Sequence, residues 1–287
     1  MEPVTNAPTD PMTTVPPSVA DAPSTDPLLV AERLCTRYVD TCALEDASLR
    51  VCRGEIWALV GPNGCGKSTL LRALAGVGAG TVTGSVRYTA VPRSPTHADL
   101  ARARAFVPQR PEVSSAFTAR DVVALGRYAV GTDPAAIDRA LADVGLAARA
   151  HRAFHELSGG ERQRVALARA FAQLDAGGVL LLDEPFGGVD PAEVARIAVS
   201  LRARAERGAV VLSLHEPGLA RAIATHAMVL RGGRVLAQGC ARDTLQAATL
   251  SEAYGHLMRE IAVGADAVAW IVPALSIDRD PPSAPRR

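Results

Sequence analysis

Lysine is almost missing from this chain: of its 31 lysine and arginine residues a single one, Lys67, is lysine. Long hydrophobic runs are missing too. The strongest, Val179 to Leu182, ends at once in Asp183 and Glu184, far short of the roughly 18 to 20 apolar residues a membrane span needs, so the chain is not expected to cross a membrane by itself. The five cysteines (Cys35, Cys42, Cys52, Cys65 and Cys240) are odd in number and show no C-x-x-C spacing, which argues against a disulfide framework and a zinc site and fits a reducing, cytosolic setting. A strong charge of either sign is also lacking: the formal net charge of +1 points to neither nucleic acid nor an anionic surface. The first 27 residues have neither the basic start nor the apolar stretch of a secretory signal, and their Pro, Thr, Ala and Asp composition predicts a disordered tail over 1–27.

What is present is an alternation of strand and helix signals after residue 28, within a length of 287 residues that can bury a full core. Ile56–Val60 is a short apolar run ending at Gly61, with a helical segment near Ser68–Ala75 behind it. Thr118 with Asp121, and Asp133 before Pro134, read as helix starts, so residues from about 110 to 165 are expected to be mostly helical. Val179–Leu182 and Val210–Leu214 suit buried parallel strands, with a helix between them opening at Asp190, Pro191 and Glu193 and stopping at Gly208. Met228–Arg231, Gly232-Gly233 and Arg234–Ala237 read as a hairpin.

Three segments carry chemistry. Gly61-Pro62-Asn63-Gly64-Cys65-Gly66-Lys67-Ser68-Thr69 fits G-x-x-x-x-G-K-[ST], a loop whose backbone N–H groups close on the β- and γ-phosphates of a nucleoside triphosphate. Lys67 supplies a compact point charge there that arginine's planar fork replaces poorly, which explains the one lysine in an arginine-rich chain. Ser68 is the expected Mg²⁺ ligand, a hard oxygen beside the bridging phosphates. Asp183 and Glu184 follow a buried strand, where paired carboxylates are costly unless they face a cation or water; Asp183 suits Mg²⁺ and Glu184 an attacking water. Taken alone, the pair could equally be a solvated acidic turn. Leu157-Ser158-Gly159-Gly160-Glu161-Arg162-Gln163-Arg164 opens a helix with a capping box between Ser158 and Glu161. Two glycines exceed what a cap requires, and they suit an anion at a helix N-terminus.

The phosphate loop, LSGGERQR and LLLDEP in this order resemble the ATP-binding cassette (ABC) ATPases over about residues 28 to 255. That resemblance implies a P-loop core of mixed α/β sheet with an antiparallel β subdomain and an inserted helical subdomain at about 110–165, followed by a partly disordered extension over 256–287. It implies ATP and Mg²⁺, with Mg²⁺ on Ser68, Gln109 and, through water, Asp183. Tyr38 stands where an aromatic ring usually stacks on adenine, though a half-buried strand tyrosine would look the same. Gln109 resembles the glutamine that senses Mg²⁺ and links the core to the helices, and His215 the histidine that contacts the γ-phosphate. Asp190 resembles the aspartate through which two subunits communicate, while a helix cap is an equally good reading of it. Gly187-Gly188-Val189 and Glu216 depart from the family's usual residues.

In that family two cassettes meet head to tail, so Ser158, Gly159, Gly160 and Glu161 of one copy are expected to cover the ATP held by the other. The resemblance implies an ATPase subunit at the cytoplasmic side of the cell membrane, peripheral to permease chains and served indirectly by a substrate-binding protein, with no nucleic-acid partner. Thr118–Arg127 and His226–Gly239 look like importers of ferric siderophores, haem or cobalamin; a divalent-metal importer or an exporter subunit are alternatives. Chromosome-acting members carry a long coiled-coil insert where only 90 residues separate Lys67 from Ser158. Ribosome-acting members normally hold two cassettes in one chain. A nucleotide-binding scaffold without turnover is opposed by the presence of both Glu184 and His215.

Overall fold

A computed structural model describes residues 26–113, 117–174, 177–263 and 268–274. The tail expected over 1–27 falls almost wholly outside the described residues, as does the end of the extension. Along the chain come β1 (Pro27–Tyr38), β2 (Thr41–Cys52), β3 (Ile56–Val60), α1 (Lys67–Ala75), β4 (Thr81–Tyr88), α2 (His97–Ala103) and β5 (Arg104–Val107). Then follow α3 (Ala119–Leu125), α4 (Pro134–Asp143), α5 (Gly159–Gln173), β6 (Val179–Leu182), α6 (Pro191–Arg207), β7 (Ala209–Leu214) and α7 (Pro217–Ile223). The last elements are β8 (His226–Arg231), β9 (Arg234–Cys240), α8 (Ala241–Thr244), α9 (Ala247–Tyr254), β10 (Met258–Val263) and β11 (Val268–Pro273). Among the described residues no helix is long and apolar enough to cross a membrane.

The main sheet has the order β5-β6-β7-β3-β8-β9, parallel except for β9, which returns antiparallel to β8. A second, antiparallel sheet has the order β2-β1-β4, and β10 pairs with β11. The core is divided by the pleat of the main sheet. Along β3, Ile56, Ala58 and Val60 join one apolar cluster with the helices α3 to α6, while Trp57 and Leu59 join another with α1 and the antiparallel sheet. All five β3 residues are buried, which is why a strand covered on both faces reads as an unbroken apolar run.

The inserted helices start where side-chain caps allow them. Thr118 and Ser158 form capping boxes with Asp121 and Glu161, and the Asp133 carboxylate accepts from the N–H groups of Ala135 and Ala136 at 3.0 and 3.1 Å. Asp190 departs from the cap reading. It occupies the N-cap position of α6, ahead of Pro191 at the first helical position, but its side chain makes no capping hydrogen bond.

Candidate active site

Four neighbouring parallel strands deliver the site. β3 runs into Gly61, β6 into Asp183, β7 into His215 and β5 into Pro108-Gln109, so all four groups emerge at the same carboxyl edge of the sheet. Open α/β sheets hold their ligands at that edge.

The phosphate loop needs glycine at its two ends. Gly61 has φ +150°, and a Cβ there would lie 2.2 Å from the carbonyl oxygen of Leu230; at Gly66, φ +108°, it would lie 2.9 Å from that of Ala43. Gly66 also precedes α1 with no side-chain cap, so the first N–H groups of the helix, and its positive dipole end, face the cleft. Lys67 is buried, and its Nζ donates to the carbonyls of Gly61 at 2.7 Å and Pro62 at 3.1 Å. Cys65, within the loop, is buried, and that burial pushes its thiol up against the opposing charge of Lys67. Asn63, Gly64, Gly66, Lys67, Ser68 and Thr69 line a cleft of about 300 Å³, closed on its far side by Gln109, Glu184 and His215.

Beneath this cleft the carboxylates are held by a hydroxyl chain. Ser68 Oγ donates to Asp183 Oδ1 at 2.9 Å, Ser213 Oγ donates to the same oxygen at 2.8 Å, and the Glu184 N–H donates to Ser213 Oγ at 2.9 Å. Asp183 is fully buried, yet its Oδ2 has no hydrogen-bond partner among the protein atoms. A fully buried carboxylate oxygen left over next to a serine hydroxyl is a donor set that suits a hard divalent cation such as Mg²⁺. Ser213 was not singled out from the sequence, although it is the one polar residue in the run Val210–Leu214.

Glu184 has a left-handed backbone, φ +50°, a conformation that costs a side-chain-bearing residue about 1–3 kcal/mol and is held only where the surroundings fix it. The Ser213 bond and the turn into Pro185 do so here. Its carboxylate is gripped from two sides: Gln109 Nε2 donates to Oε2 at 2.5 Å, and His215 Nε2 contacts Oε1. Gln109, Glu184 and His215 thus converge.

The remaining expected residues stand apart from this cleft. Tyr38 closes β1 against Thr41, with its ring edge beside Gly80. Ser158, Gly159, Gly160 and Glu161 do not line the cleft and are engaged with their own helix. Ser158 N–H donates to the Glu161 carboxylate at 2.9 Å, the Glu161 N–H donates back to Ser158 Oγ at 3.2 Å, and Arg149 pairs with the same carboxylate. The bond from the Ser158 N–H, with the charge of Arg149, holds the Glu161 carboxyl below its usual range. The second glycine has a packing reason: a Cβ on Gly160 would lie 2.3 Å from the carbonyl oxygen of Gly188, on the loop that leads to Asp190, whereas Gly159 faces open space.

Residues 44–187 match the family model described as ABC transporter. The hemin import ATP-binding protein HmuV of Rhodococcus jostii is 42% identical over 227 residues, spanning 74% of this chain and 75% of that protein. The chain belongs to the ATP-binding subunits of ABC transporters. This ATPase is also 40% identical to the cobalamin import ATP-binding protein BtuD of Halobacterium salinarum over 238 residues, 79% of this chain and 58% of that protein. Among solved structures, a transporter assigned to the metal-chelate type, in an inward-facing conformation, superposes with a TM-score of 0.72 at 26% identity, covering 88% of this chain and 99% of that one. A solved ATP-binding subunit of an ABC transporter gives 0.68 at 27% identity, over 78% and 94%. The ATPase is therefore of the importer type, and its mixed α/β core with a separate antiparallel sheet is the ABC ATPase fold.

Proposed function

We propose that two copies of this ATPase close head to tail on ATP to drive import of a metal-chelate-like cargo, of the haem, cobalamin or ferric-siderophore class, through separate permease chains. The observation that carries the catalytic part is the Glu184 carboxylate, fixed between Gln109 and His215 across the cleft from Lys67. In that position it can accept a proton from a water attacking the γ-phosphate. His215 orients the water and the phosphate, and Lys67 with the N–H groups of the loop holds the β- and γ-phosphates. Tyr38 stacks on adenine. Mg²⁺ would be held by Ser68, by Gln109 and through water by Asp183, and it would supply positive charge that offsets the charge of the phosphates. Ser158, Gly159, Gly160 and Glu161 cover the nucleotide of the opposite copy, and Asp190 carries the signal between the two sites.

The cargo class rests on relatives named for hemin and cobalamin import. Those relatives also support a place at the cytoplasmic face of the membrane, with a substrate-binding protein acting upstream of the permease. Glu184→Gln keeps the shape and removes the base, so ATP binding should persist and trap a dimer on size-exclusion chromatography while turnover falls about 100-fold or more. Unchanged turnover would remove Glu184 from the mechanism. Copurification tests the assembly: a permease should accompany the ATPase, and recovery with ribosomes would refute the transport reading.

A further inference from the structure

The family motifs end at His215, but one side chain from the C-terminal part of the chain reaches both that residue and the phosphate loop. Tyr254 is the last residue of α9, and Gly255 behind it takes a left-handed turn, φ +65°. The Tyr254 hydroxyl donates to the backbone carbonyl of His215 at 3.4 Å, while the Gly61 N–H lies beside its oxygen and Cys65 close by. Burial pushes this phenol up to about 12, so it remains a proton donor across the neutral range. The same segment grips the other end of α7, the helix that begins two residues after His215. Arg221, in the last turn of α7, donates to Glu260 Oε1 at 3.1 Å and to the Leu245 carbonyl at 3.3 Å. The hairpin bearing Glu260 is itself anchored: Met258 and Ile271 are buried in the main core, and the Met258 N–H donates to Ser251 Oγ at 2.8 Å.

We propose that Tyr254 is a positioning residue for ATP hydrolysis, holding the backbone of His215 in register with Gly61 so that the imidazole keeps its contact with Glu184. The proposal rests on the active-site reading given above. It makes the C-terminal segment a brace on the histidine loop, and it assigns Tyr254 no contact with ATP.

Tyr254→Phe keeps the ring and removes the bond. It should lower the single-turnover hydrolysis rate about three- to tenfold, leave KM for ATP within about twofold of wild type, and barely change the melting temperature. In a His215→Ala background the same change should have no further effect, since the hydroxyl acts through that histidine. Wild-type hydrolysis by Tyr254→Phe, or an equal loss with and without His215, would overturn the proposal. Glu184→Gln measured beside it separates the two ideas. If Glu184→Gln turns over normally, the active-site reading fails; if it is inactive and Tyr254→Phe is normal, only the role of Tyr254 fails.

Discussion

The carboxyl edge of the main sheet and the start of α5 both carry family motifs, yet they are built oppositely. At the sheet edge, side chains from four strands meet one another within one chain: Lys67 on the loop carbonyls, Ser68 and Ser213 on Asp183, Gln109 and His215 on Glu184. At α5 the polar groups close on themselves, Ser158 with Glu161 and Glu161 with Arg149, and the glycine between them backs onto Gly188. A region whose groups converge on a cleft can bind and react. A region that satisfies its side chains locally has no such convergence, and in the proposed head-to-tail dimer it would meet the nucleotide of the other copy.

Changing one region at a time tests that contrast. Lys67→Ala should strike hardest, weakening ATP binding by a single copy about 10- to 100-fold through loss of charged hydrogen bonds, with turnover falling further; equilibrium binding of a fluorescent ATP analogue measures it. As the only lysine in the chain, Lys67 also allows a direct check, because an amine-reactive label on it should be blocked by ATP. Ser158→Arg should lower turnover about tenfold or more while dilute single copies bind the analogue as before. Weakened binding in that variant would erase the distinction between the two regions.

Smaller effects test the supports. Ser213→Ala leaves Asp183 and the Glu184 N–H each short of a partner and should cost about 1–3 kcal/mol in denaturant unfolding. Gly160→Ala must displace Gly188 and should cost a similar 1–3 kcal/mol from overpacking, with Gly159→Ala nearer neutral at its open position. The smallest effect concerns pH. The Glu161 carboxyl is held below the usual 4.5 in the fold, so its ionised form stabilises the native state above that pH, and the contribution is lost as pH falls through the lowered value. Glu161→Gln should therefore flatten the acid side of the melting-temperature curve below about pH 4.5.

Much of this was legible because it is local. The phosphate loop, the capping boxes at Thr118 and Ser158, the proline starts of α4 and α6, and the β8–β9 hairpin each depend on residues a few positions apart. Glu184 was found from its place after a buried apolar strand, Gln109 and His215 through a family pattern, and their meeting depends on strand order. Ser213 escaped notice because a lone serine in an apolar strand has no periodic signature. Asp190 was read partly as a cap, which its side chain does not make, although Asp133 in the same aspartate-proline setting does, because side-chain orientation is not written in the local pattern. Nothing local marked β10, β11 or Tyr254, whose contacts, with α7 for the hairpin and with the His215 carbonyl for Tyr254, lie far away in the chain.

By itself the sequence determined that a phosphate loop, a carboxylate pair and a glycine-rich helix start exist, for each is a short-range demand on backbone angle, charge or capping. Only the tertiary structure decided that β5, β6, β7 and β3 lie side by side. That order, fixed by burying both faces of an apolar sheet, brings the Gln109 amide within 2.5 Å of the Glu184 carboxylate, 75 residues apart in the chain.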